Sequence, residues 1–469
     1  MSKQVPDEFR IGIVCGKLGD VDGVSLEVEK WIRILDELGH TVFTFTGHYA
    51  STLPLIPEER QILLPEIRFG SPEQKQYEAE VFPYLQDKPA RLSDTRREQI
   101  IEHLEQEGTN VANILFDHIR SYSIDVILAQ NTNAMPMTLI GGMAVYKLAT
   151  WRRVATIFHH HDFWWERSRF SQNYIEQLLG RIMPPVDPGV EHVVLSSYAE
   201  HILRSIKRVQ PRVIPNCEDF EHAVTMDEYS SRFRQEFGFS PEDILVVQPT
   251  RIVRRKRIED SIELLGRFLK KYPEFRDRLH FIISLYQGDE PDVHYIDEIK
   301  KRAEQHRIPL HLISDRISAE RSVDGEGRPV FTNRDVLVNA DLVTYLPIWE
   351  GFGNALLEAI AAKVPVVTTA YLVYKTDIKV VGFDMLEIRD VYEKDGSLRI
   401  PERVLGEMKR ILTKPNERQR MVEHNFRLGK KEFGLKKLKC LIRDVLDEYG
   451  DEIRASRKRI EKSKRRYPV

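Results

Sequence analysis

Leu342-Val-Thr-Tyr-Leu-Pro347-Ile-Trp-Glu350-Gly351-Phe352-Gly353-Asn354-Ala-Leu-Leu-Glu358-Ala-Ile-Ala-Ala-Lys363-Val-Pro365 carries a strand, a turn and a helix in one run. Leu342–Leu346 reads as a buried strand, and an Ala/Leu helix follows from about Asn354. Between them, Gly351 and Gly353 let backbone N–H groups approach a ligand closely, and the start of a helix favours negative charge. This is a phosphate site at the carboxyl end of a parallel strand, where open α/β sheets bind ligands. Glu350 and Glu358 are eight positions apart, and a continuous helix would separate them by roughly 12 Å along its axis and about 80° around it. One carboxylate then suits sugar hydroxyls and the other a ribose, with a diphosphate between. An ordinary strand–turn–helix with an exposed acid pair fits the same residues.

Short β-rich runs alternate with helical patterns on both sides of this segment, which predicts parallel sheets covered by helices. In the first half the runs are Ile11–Cys15, Thr41–Thr46, Ile124–Leu128, Val154–Phe158 and His192–Leu195. In the second they are Ile244–Gln248, Leu279–Leu285, Leu310–Ile313, Leu342–Leu346 and Val364–Thr368. A chain of 469 residues exceeds one ordinary core, and the pattern resets near residue 220. We therefore expect an acceptor-side domain over 1–220, with a charged helical insertion at about 72–120, and a second domain over 221–415. The remaining 416–469 should form helices packing back on the first domain. They end in a basic tail, Arg454–Arg466, with eight Lys/Arg against one acid.

Seventy basic and 72 acidic residues leave a formal charge of -2, which argues against a nucleic-acid partner bound through a broad positive face. Cys15, Cys217 and Cys440 are too scattered for a disulfide framework or a thiolate zinc site. The N-terminus is polar rather than signal-like, and the longest apolar stretch, Ala134–Ala149, is too short to span a membrane. A cytoplasmic location and no integral membrane association are expected.

A second charged element follows the strand Ile244–Gln248: Arg251-Ile-Val-Arg254-Arg255-Lys256-Arg257. Cations at a strand end suit a diphosphate leaving group, although a solvated basic turn would look the same. Taken together, the two segments resemble those of family-4 retaining glycosyltransferases of GT-B fold. That resemblance implies two Rossmann-like domains whose parallel sheets face a central cleft. It implies a nucleotide-sugar donor, GDP- or UDP-linked, held mainly by the second domain, and no metal or other cofactor. Arg251 and Lys256 match the family's R-x4-K diphosphate pattern. Glu350, Gly351, Phe352, Gly353 and Glu358 match its E-G-F-G…E segment, with Asn354 starting the helix. Ile348-Trp349 departs from the serine the family commonly carries before the acid.

The resemblance extends to weaker positions. Gly23 falls in the loop that faces the donor phosphates, Asn216 in an I-P-N linker segment, and Ile313 where backbone holds the nucleobase. His161-Asp162 matches a His-Asp pair near the transferred sugar. Glu166 and Arg167, beside them, are candidates for binding a polar acceptor, and Arg152, Arg153 and Arg167 for pairing with an acidic one. The run Asp22-Gly-Val-Ser-Leu-Glu and the His159–Arg167 segment are similar to soluble transferases that make small solutes. Other readings stay open: a metal held by His159, His160, His161 and Asp162, or a structural histidine cluster. Asp20-Val21-Asp22 has a metal-binding D-x-D look, but the basic cluster already supplies the charge. A GT-B epimerase or phosphorylase, or a two-lobed sugar-binding protein, are the rival functions. The loop after Ile11–Cys15 does not match G-x-G-x-x-G, which weighs against a dehydrogenase.

Overall fold

The computed structural model describes residues 8–20, 22–83, 91–223, 225–285 and 294–466. Val21 of the Asp20–Asp22 run and residues 84–90 of the expected insertion lie outside them.

The chain divides into two compact units, 1–215 with 438–469, and 216–437. The first holds β1 (Arg10–Cys15), β2 (Thr41–Thr46), β3 (Gln61–Leu63), β4 (Val126–Gln130), β5 (Ala155–His160), β6 (Val190–Val194) and β7 (Arg212–Val213). They form one parallel sheet in the order β3-β2-β1-β4-β5-β6-β7. The second holds β8 (Ile244–Gln248), β9 (Leu279–Ile283) and β10 (Leu310–Leu312), then a two-stranded ribbon, β11 (Ser322–Val323) and β12 (Pro329–Val330). β13 (Leu342–Tyr345), β14 (Val366–Thr369) and β15 (Leu386–Ile388) complete its parallel sheet, ordered β10-β9-β8-β13-β14-β15. The central strands β4, β5, β8, β13 and β14 are buried throughout, because helices cover both faces and no alternation with polar residues is needed. Strand order reverses between β1 and β4 in one sheet and between β8 and β13 in the other, so each unit has one crevice at its carboxyl edge.

The segment expected as an insertion is part of the first core. The helix Asp94–Ser121 connects β3 to β4 and buries Ile100, Leu104, Val111, Ala112, Leu115 and Ile119. It lies against Leu139–Thr150 so closely that a Cβ on Gly108 would sit 2.2 Å from Met143 Cγ. The last helices divide between the units. Pro415–Phe433 packs on Asn354–Ala361, where a Cβ on Gly429 would come within 2.6 Å of Phe220. Gly450–Arg466 docks on the first unit, burying Ile453 and Ile460 and pairing Arg457 with buried Asp125 at 2.7 Å. Of its described basic residues, Arg454, Lys458, Arg459 and Lys462 are exposed. Among the described residues no helix is long and apolar enough to cross a membrane.

Tyr449 ties this docking to the sheet: its hydroxyl accepts from Thr156 N–H (3.0 Å) and donates to the Gly189 carbonyl (2.6 Å). Tyr449→Phe keeps the ring but strands two backbone groups. Its urea midpoint should fall by an amount equivalent to about 1–3 kcal/mol.

Candidate functional site

Most of the residues singled out in the sequence stand on loops at the carboxyl ends of β1, β5, β8 and β13. After β13 the chain turns through Pro347–Phe352 and enters the helix Asn354–Ala361 at Gly353. Gly353 has φ +137°, and a Cβ there would meet Tyr371 Oη at 2.5 Å, so glycine is required on both counts. The Tyr371 hydroxyl donates to the Phe352 carbonyl at 2.6 Å, while the Phe352 ring packs edge-on against Phe433. The turn is therefore fixed from beneath. Asn354 accepts at 2.6 Å from the amide of Asn216, which joins the linker segment to the first residue of the helix. Gly351 is half-buried beside them.

After β8, a tight turn at Arg254–Lys256 swings the basic residues toward this loop, and the Arg255 carbonyl accepts from Ile348 N–H at 3.1 Å. Glu350 is 7% exposed and forms ion pairs with Arg255 (2.6 Å) and with Lys256. Half-buried Arg251 makes no ion pair among the described residues. Three cations against one carboxylate leave the cluster with a net charge of +2. Burial works to raise the Glu350 pKa, but Arg255 and Lys256 overcome it and hold the carboxyl well below its ordinary range. Burial also pushes Lys256 down to about 8, against the pull of Glu350, because Arg255 shares that carboxylate and Arg251 adds repulsion. One carboxylate does not balance the three cations, and an incoming dianion would match the excess.

Glu358 sits in the helix, where it accepts from Asn333 at 3.0 Å; Asn333 is itself held by Ser284 at 2.6 Å. Glu350 precedes the helix, so the continuous-helix geometry expected for the acid pair does not apply. Ile313, at the end of edge strand β10, uses its N–H on the Ile283 carbonyl and its own carbonyl on Arg316 N–H. Most of its backbone capacity is already engaged.

In the first unit, Asp22 caps the helix Gly23–Glu37 by accepting from Val24 N–H (2.9 Å) and Ser25 N–H (3.0 Å). Gly23 is exposed at the start of that helix. Lys17 bridges Asp20 (2.8 Å) and Asp22 (3.1 Å), so both acids of the D-x-D run already have a cation. At the end of β5 the histidines diverge. His159 packs with tilted rings against Trp31 and His161, while His160 turns to the other face and bonds His192 at 2.9 Å. Among the described residues no group of three or more His, Cys, Asp or Glu side chains gathers as a metal site would. His161 meets the Gln130 side-chain oxygen at 3.3 Å, and burial, only partly opposed by Asp162 and Asp22, lowers its pKa to about 4. It is a neutral hydrogen-bonding group near pH 7. Asp162 is gripped by Arg167, whose Nε lies at 2.7 Å, and Glu166 accepts from Phe163 N–H at 2.8 Å.

Arg152 and Arg153 correct an expectation. They precede β5, at the amino edge of the sheet, roughly 20 Å of strand from His160. Arg153 pairs there with Asp187 and Arg152 with Asn113, so neither belongs with the crevice residues. Sequence reasoning also missed Arg255 and Asn333 in the second unit and Gln130 in the first. Arg255 lay within the basic run, where a fixed motif selects only its ends. Gln130 was overlooked because β4 was placed two residues too early.

Burial pushes the Glu166 carboxyl up to about 7. An acid raised on folding holds its proton longer in the native state, so native stability should fall as pH rises from about 4.5 to 7. The contribution is at most about 1.4 kcal/mol per pH unit. Glu166→Gln keeps an acceptor for Phe163, and comparing urea midpoints at pH 5 and pH 8 should show a smaller decline than in the parent protein.

A family model, glycosyl transferases group 1, matches residues 325–379, the span that includes Glu350, Gly353 and Glu358. Over 455 residues the chain is 32% identical to a mannosylglucosylglycerate synthase of Thermotoga maritima, covering 93% of this chain and all of that one. A mannosylglucosylglycerate synthase of Petrotoga mobilis is 28% identical over 459 residues, covering 91% and 99%. Among solved structures, sucrose-phosphate synthase from Thermosynechococcus elongatus has a TM-score of 0.63 at 14% identity, covering 94% and 99%. Anabaena HepE in complex with UDP-glucose has a TM-score of 0.60 at 13% identity, covering 94% and all of that chain. These distant likenesses bear on the fold, which is GT-B. On its full-length similarity to the synthases, the chain belongs to the group 1 glycosyltransferases.

Proposed function

We propose that this enzyme transfers a hexosyl group from a nucleoside-diphosphate sugar to a small acidic acceptor in the cytoplasm, with retention and without a metal. The observation that carries the reading is buried Glu350 among half-buried Arg251, Arg255 and Lys256, a net charge of +2, beside a glycine turn that opens a helix. The relatives' name describes a product containing mannose, glucose and glycerate. A sugar acid such as a glucosylglycerate as acceptor and a mannosyl donor follow from it. Glu350 would exchange its cations for the hydroxyls of the donor sugar, Glu358 would take the ribose, and the main chain at Gly351–Asn354 would hold phosphate.

In the step we favour, the bond from the anomeric carbon to the diphosphate oxygen breaks. A bond to the acceptor hydroxyl forms on the same face, and the hydroxyl proton passes to the departing phosphate. Arg251, Arg255 and Lys256 stabilise the charge that develops there. His161, neutral, would hydrogen-bond a sugar hydroxyl. Asp162 and Glu166 would accept from the acceptor, and Arg167 would hold its carboxylate.

Melting with UDP, GDP, ADP and their glucose and mannose forms tests the donor assignment. One nucleotide should raise the midpoint, equally with and without EDTA. A shift abolished by EDTA would refute the metal-free reading, and no shift at all would refute the donor site. Turnover should drop by about 100-fold or more in Lys256→Ala and in Glu350→Gln. Gln is preferred to Ala at 350, since removing the side chain would leave Arg255 and Lys256 buried without an acceptor. Wild-type turnover in either variant would exclude these roles. For Arg167→Ala, an acceptor KM equal to that of the parent would remove Arg167 from the acceptor site.

A further inference from the structure

Tyr345 is the last residue of β13 and is 1% exposed, yet its hydroxyl has no hydrogen-bond partner among the described residues. Its neighbour Tyr371, equally buried and set edge-on to it, has one, the Phe352 carbonyl. A buried hydroxyl without a partner is costly, and phenylalanine would fill the same space without that cost. The place of the hydroxyl is specific. A Cβ on Gly353 would lie 3.5 Å from Tyr345 Oη, and the Lys256 ammonium stands 5.3 Å from the centre of its ring. The hydroxyl thus lies close to Gly353 of the glycine turn, and the ring that carries it faces the Lys256 ammonium.

We propose that Tyr345 is a further donor-binding residue, whose O–H donates to an oxygen of the donor's diphosphate at the Gly351–Gly353 turn. The inference rests on the donor-site reading above. A phosphate oxygen only accepts, and the site around it already gathers cations, so a neutral donor from beneath adds a bond without adding charge. Burial, with Glu350 and Tyr371 close by, raises the phenol far above its ordinary range, so it keeps the proton it would donate. A bound diphosphate would give the hydroxyl the partner it lacks among the described residues.

Tyr345→Phe separates this role from a packing role. Affinity for UDP and GDP is measured by calorimetry on the full chain, alongside ligand-free thermal melting. For whichever nucleotide the parent binds, the variant should bind about five- to tenfold more weakly, while its ligand-free melting point is unchanged or raised. Parent-like affinity in the variant would overturn the proposal and leave the donor-site reading standing. A lowered ligand-free melting point would overturn it too, because the hydroxyl would then have a partner within the fold. Failure of the parent itself to bind either nucleotide would sink the donor-site reading, and this proposal with it.

Discussion

Glu350 is buried against Arg255 and Lys256, and the geometry of the second unit follows from keeping that carboxylate paired. Removing ions from water is expensive, and a buried pair is seldom worth more than an apolar substitute of the same size. A cluster with three cations for one acid is worse still as a device for stability. The fold nevertheless invests several fixed contacts in it. Arg255 hooks its carbonyl to Ile348, Gln248 bonds the Lys256 carbonyl, and Gly353 adopts a backbone that only glycine tolerates well. Such an arrangement makes physical sense when a ligand supplies the missing negative charge, because cations already oriented in a dry site need little reorganisation.

The parallel sheets put these parts together. A parallel strand delivers its following loop to one edge, so β8 and β13, neighbours in the sheet but nearly a hundred residues apart in sequence, present the basic turn and the glycine turn side by side. The same rule gathers Lys17, Gln130 and His161 after β1, β4 and β5, and excludes Arg152 and Arg153, which stand before β5. Chemical type alone could not distinguish Arg167 from Arg153. The direction of one strand does.

Much of this was legible in the sequence for a physical reason. A central strand buried on both faces reads as a continuous apolar run, as Ile244–Gln248 does to the residue, while Thr41–Thr46 reads from its β-branched and aromatic residues. The edge strands Gln61–Leu63, Arg212–Val213 and Leu386–Ile388 were not legible, because two or three residues carry no period. The exposed side of the helix Asp94–Ser121 is densely charged, which masks the single apolar stripe it buries. At the glycine turn, composition announced a ligand site, but the positive φ at Gly353 interrupts the helical spacing assumed between Glu350 and Glu358. The partner of Glu350 was harder still. Which of four adjacent basic residues turns inward depends on a tight turn that local sequence does not specify.

The two crevices differ in electrostatic character, and the difference suits a divided task. Around Glu350 the charges are many, at least half-buried and unbalanced. Around His161 they are paired locally, Lys17 with Asp20 and Asp22, and Arg167 with Asp162. His161 itself is held neutral by burial and placed against Gln130. Unbalanced charge binds a dianion and stabilises it as it leaves. Neutral, directional hydrogen-bond groups recognise hydroxyls without holding a nucleotide.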